Sequence, residues 1–65
     1  MAEISKGKVL QIDKTLALIE DSETGSLKRS VYIPKRLTLS VGDDILYAYF
    51  NDLTGVAVEK IGGDG

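Results

Sequence analysis

Apolar residues in this chain arrive in short runs with the period of a strand, and the first two runs are separated by almost nothing. Residues 7–13 hold Val9, Leu10 and Ile12, and residues 15–21 hold Leu16, Ala17, Leu18 and Ile19, with Asp13 and Lys14 between them. A parallel crossover needs about a dozen residues or more, so this spacing predicts a tight antiparallel hairpin. No long window carries the i, i+3, i+4, i+7 stripe of an amphipathic helix, and the reading is all-β.

The rest of the chain repeats the pattern. Residues 22–26 form a polar loop, mobile and solvated, in which Gly25 can take positive φ. A third strand spans 29–33 and is closed by Pro34, which cannot donate to a ladder and pushes Ile33 to extended geometry. Residues 35–40 make a compact connection with room for a single 3₁₀ turn, and Val41, Gly42, Asp43 and Asp44 turn into a fourth strand. That strand, 44–50, alternates Ile45, Tyr47 and Tyr49 with Leu46, Ala48 and Phe50, so the two tyrosines share a face with Ile45 and read as core. Residues 51–54 with Gly55 read as a hairpin loop and 55–61 as the fifth strand, with Gly42 and Gly55 as turn glycines. The expected organisation is one domain over 1–61 and a flexible glycine-rich tail over 62–65, with no internal repeat.

Five short strands with largely apolar faces cannot remain an open flat sheet with unprotected edges. They should curl into a single small five-stranded β-barrel, either of the oligonucleotide-binding (OB) type or the SH3-like type, between which strand lengths do not decide. A chain of 65 residues buries a thin core. With no cysteine and no histidine, a disulfide frame, a thiol nucleophile, an imidazole base and a Cys/His zinc site are excluded. Carboxylates, lysines and hydroxyls in so shallow a domain are a poor catalytic kit, and we expect a non-catalytic protein without cofactor or metal. The opening Met-Ala-Glu-Ile-Ser-Lys-Gly-Lys mixes charges early and lacks the apolar stretch of a signal peptide, and no run approaches a membrane span. The expected location is cytoplasmic. A net charge of -2 argues against a dedicated duplex-DNA binder but leaves room for a local basic patch.

Read in order, Gly7-Lys8-Val9, Lys14-Thr15-Leu16-Ala17-Leu18-Ile19, Val31-Tyr32-Ile33, Leu39 through Tyr47, and Gly55-Val56-Ala57 resemble the cold-shock domain family over most of residues 7–61. The similarity is strongest where Gly42, Ile45, Tyr47, Tyr49, Gly55, Ala57 and Ile61 fall at the family's spacing. It implies an OB barrel whose second and third strands stack unpaired bases on aromatic side chains. At those positions stand Leu16, Leu18, Tyr32 and Pro34, and on the first strand Leu10, Gln11 and Ile12, so only Tyr32 keeps a ring. Base stacking on an aromatic is worth ~1–3 kcal/mol per base, and the resemblance therefore implies weak, sequence-tolerant binding of single-stranded DNA or RNA.

Two readings of the residues stand beside this. If Leu16 and Leu18 point away from Ala17 and Ile19, then with Tyr32, Leu10 and Ile12 they form an external apolar patch suited to a protein partner or a second copy. A register slip of one residue would instead place the leucines in the core. Lys28, Arg29, Lys35 and Arg36 bracket the third strand and, with Lys8, are candidate phosphate contacts; alternatively they are the solvated ends of an edge strand. Glu20, Asp21 and Glu23, and Asp43 with Asp44, lack the spacing of a calcium loop and read as turn acids.

Overall fold

The described residues form five strands joined by turns and one longer connection. The computed structural model describes residues 3–25, 27–50 and 54–62. They form β1 (Glu3–Asp13), β2 (Leu16–Asp21), β3 (Lys28–Tyr32), β4 (Asp44–Tyr49) and β5 (Thr54–Gly62). The sheet closes on itself in the order β1-β2-β3-β5-β4, with β4 returning to pair with β1. Every ladder is antiparallel except β3 with β5, where Ser30, Val31 and Tyr32 run parallel to Thr54, Gly55 and Val56. Closure leaves a small barrel, as the alternating runs require. Among the described residues no helix is long and apolar enough to cross a membrane.

β1 carries the closure. Its first half pairs with β4 through Glu3 to Lys8, and its second half pairs with β2 from Gly7 to Asp13. This double pairing is why the strand begins four residues before the run at 7–13. Between Val9 and Gln11 the register with β2 shifts, so Leu10 is an extra residue in a β-bulge. The shift exchanges faces beyond it. Ile12 lies opposite Ala17 and packs against the core, which corrects its placement in the external patch. The hairpin turns on Lys14 and Thr15, with Lys14 at φ 60°.

The core consists of Val9, Ala17, Ile19, Val31, Ile45, Tyr47 and Ala57, with Ile12, Ile33, Leu37, Leu39 and Tyr49 packed around it. Ala17 and Ile19 are inward, Leu16 is exposed and Leu18 is half-buried, so β2 has the register that places the leucines outside. The β3–β4 connection closes one part of the barrel with Leu37 and Leu39. It holds a single turn in which the Leu37 amide donates to the Pro34 carbonyl at 3.0 Å. Its end is pinned to β1, where the Val9 amide donates to the Asp43 carbonyl and the Gly42 amide to the Val9 carbonyl, at 2.9 and 2.8 Å. Gly42 has φ 97°, as a turn glycine should.

Two expectations need correction. Gly55 is not a turn residue: it lies inside β5, where a Cβ would run into the Ala48 carbonyl, so contact rather than φ requires glycine. Gly62 is not tail, because it pairs with Asp44 at the end of β5; residues 63–65 and 51–53 lie outside the described residues. A Cβ on Gly7 would stand 2.8 Å from the Ile19 Cδ1 and 3.1 Å from the Glu20 carbonyl oxygen. Gly7→Val should therefore destabilise the barrel by about 1–3 kcal/mol through overpacking. Urea unfolding measures this, and an unchanged midpoint would show that β1 can move away from β2 at little cost.

Candidate functional site

The outer face of β1, β2 and β3 is built in rows. Asp13 pairs with Leu16 and Leu16 with Tyr32; Gln11 pairs with Leu18 and Leu18 with Ser30. The third row is Lys8, Glu20 and Lys28. Leu16 and Tyr32 are 49% and 45% exposed, and Leu18 lies in the next row between Gln11 and Ser30, so the three side chains anticipated as a patch share one face. Leu10 sits half-buried on the bulge at its margin. A shallow depression of about 200 Å³ in this face is lined by Gln11, Asp13, Leu16, Ala17, Leu18 and Ser30.

The cations distribute unevenly. Lys28 is exposed but sits opposite Glu20, and Lys8 stands between Glu20 and Asp44, whose carboxylate is 3.7 Å away. That end of the face is balanced in charge. At the other end, the Ile33 amide donates to the Thr15 carbonyl at 2.7 Å, tying the exit of β3 to the hairpin turn. This contact brings exposed Lys14 to the same end as exposed Lys35 and Arg36, just beyond Tyr32. The sequence reading missed Lys14 because a lone turn lysine carries no signal until the turn is placed beside β3. Phe50, 51% exposed after β4, is a second aromatic outside the core that the family comparison gave no reason to select.

Arg29 is not part of any rim. β3 alternates, with Lys28, Ser30 and Tyr32 outward and Arg29 and Val31 inward, and this parity buries Arg29 in the barrel. Its Nε donates to the Tyr47 hydroxyl at 3.1 Å, and its guanidinium lies 3.8 Å from the centre of the Tyr49 ring. The Tyr47 hydroxyl in turn donates to Asp21 Oδ2. Asp21 also accepts from the Ser5 hydroxyl at 2.9 Å and from the Glu23 and Thr24 amides at 2.8 and 3.2 Å. The acids suspected of turn duty have definite work: Asp21 fastens the β2–β3 loop. Asp43 is buried, accepts from the Ser40 amide at 2.7 Å and meets Lys60 at 3.6 Å.

Burial pushes the Asp21 carboxyl up, but hydrogen bonds from Tyr47, Glu23, Ser5 and Thr24 outweigh it and hold the group below its ordinary range. Burial, and then the Asp21 carboxylate, push the Tyr47 phenol up to about 12. The lowered carboxyl contributes stability that is complete above its unfolded value of 3.8 and is lost as pH falls through the folded value. The raised phenol contributes stability complete below 10.0 and lost as pH rises toward about 12. Asp21→Asn should cost about 1–3 kcal/mol near neutrality and shrink as pH is lowered below 4. Thermal melts of both proteins across that range test it; a deficit independent of acid would mean that the carboxylate charge is not what matters.

A scan against protein-family models finds no family that matches the chain, and a search of curated proteins finds no match.

Proposed function

We propose that the protein is a non-catalytic, cytoplasmic binding module of OB type, related in plan to the cold-shock domains, that takes single-stranded nucleic acid weakly across the outer face of β2 and β3. The observation that carries this reading is Tyr32, exposed beside Leu16 and at the end of the sheet where Lys14, Lys35 and Arg36 gather. The closed order β1-β2-β3-β5-β4 with its parallel β3–β5 ladder supports the OB assignment over the SH3-like one. Tyr32 supplies one stacking surface and the three cations supply phosphate contacts, with Lys8 and Lys28 muted by neighbouring carboxylates.

Neutralising two or three phosphates of a single strand gives a slope of log affinity against log salt of about -1.4 to -2.1. Lys35→Glu with Arg36→Glu should abolish measurable binding of short oligonucleotides, and Tyr32→Ala should weaken it by ~1–3 kcal/mol. Fluorescence anisotropy at two salt concentrations decides. Tight binding that persists at high salt, or survives the charge reversals, would overturn the electrostatic account.

A second reading is favoured by the aliphatic character of Leu16 and Leu18, which resembles a protein contact more than a base platform. Here the face docks a second copy or another protein. Because Leu18 points outward, Leu18→Glu should leave the melting curve nearly unchanged and convert any self-associated form to monomer. Light scattering of a parent that is already monomeric would remove self-association.

A further inference from the structure

We infer that the depression beside Tyr32 reads a single unpaired guanine through the Asp13 carboxylate, an inference that rests on the nucleic-acid reading above. The depression, of about 200 Å³, is lined by the apolar side chains of Leu16, Ala17 and Leu18 and by the polar ones of Gln11, Asp13 and Ser30. None of these three side chains makes a hydrogen bond or ion pair with a described residue. Their donors and acceptors are available to a ligand.

Asp13 decides the identity of the base. An ionised carboxylate only accepts hydrogen bonds, and through two oxygens side by side. Among the common bases only guanine offers two adjacent donors on its Watson–Crick edge, N1–H and N2–H, and unpaired bases expose that edge. Adenine and cytosine each place an acceptor nitrogen next to their amino group, and thymine or uracil flanks its one N–H with two carbonyls. Each of these would turn a lone pair toward the carboxylate. The Gln11 amide and the Ser30 hydroxyl can donate to the guanine O6 or N7, which completes the set. Asp13 also repels phosphate, so it serves a base edge and not the backbone. The cations lie in the turns at 14–15 and 34–37, at the Tyr32 end, where the sugar–phosphate chain can pass. One base then occupies the depression while its neighbour stacks on Tyr32.

The test uses single-stranded deoxyoligonucleotides that differ in one central base: guanine, inosine, adenine, cytosine or thymine. Anisotropy titrations should rank guanine above inosine, which lacks the N2 amino group, and inosine above the rest, with guanine about fivefold to tenfold tighter than adenine. In Asp13→Ala, checked for folding by circular dichroism, the ratio of guanine to adenine affinity should fall to near unity even if overall affinity rises with the loss of a negative charge. Equal binding of all five by the parent protein would overturn the guanine assignment while leaving the nucleic-acid reading in place. A guanine preference that survives Asp13→Ala would overturn the role of Asp13. Absence of binding to every oligonucleotide would overturn the nucleic-acid reading itself and this inference with it.

Discussion

The Asp21 carboxylate is the point at which the barrel is tied together. It accepts from a hydroxyl on β1, a hydroxyl on β4 and two amides of the loop that leads to β3, while its own strand is β2. Arg29 of β3 joins through the Tyr47 hydroxyl, so four of the five strands meet in one polar cluster. Among the described residues seven apolar side chains are fully buried, and two of them are alanines, so the hydrophobic term is small for the number of residues to be ordered. In such a core a satisfied network contributes orientation as well as energy. A half-satisfied one would be worse than none, because the low dielectric that strengthens the bonds also penalises any group left unpaired. Arg29 lying on the Tyr49 ring and bonded to Tyr47 shows how the cation is accommodated.

The second constraint is the length of β1. A strand that pairs with β4 at one end and β2 at the other must bend, and the bulge at Leu10 falls two residues beyond Gly7 and Lys8, the overlap where both neighbours are present. Gly7 lies in that overlap, where the approach of Ile19, Glu20 and Tyr47 leaves no room for a side chain. The turn at 40–43 then pairs with Val9 just before the bulge, so the connection from β3 is fixed to the same point.

Alternation made most of this legible. The parity of β2 and β4 places Ala17, Ile19, Ile45 and Tyr47 inside and Leu16 and Leu18 toward the outer face, as the period-two pattern requires. The same parity also predicts that Arg29, two residues before Val31, faces inward, and that Asp21, two after Ile19, does too. Their charge argued for the surface, and the compensating partners lie 18 and 26 residues away at Tyr47, a pairing no local pattern contains. The bulge was not legible for a related reason. One extra residue in β1 is invisible until its partner strand is known, and it moved Ile12 from the patch to the core. The parallel ladder of β3 and β5 joins residues 24 apart and likewise has no short-range signature.

An acidic chain can still present a local positive end because its charges are sorted by place. Glu20 and Asp44 sit beside Lys8 and Lys28, Lys60 meets Asp43 and Arg29 is held in the interior, while Lys14, Lys35 and Arg36 gather at one end with Asp13 as the nearby carboxylate, on a protein of net charge -2. At physiological salt the screening length is about 8 Å, so a phosphate at that end responds to the nearby cations far more than to distant carboxylates. The outer face is also separate from what holds the fold. Leu16, Leu18, Ser30 and Tyr32 contribute little to the core, and the buried cluster contributes nothing to the face. Substitutions on the outer face therefore draw little on the small stability reserve of a 65-residue barrel, whereas changes at Asp21, Arg29 or Tyr47 would spend it without altering that face.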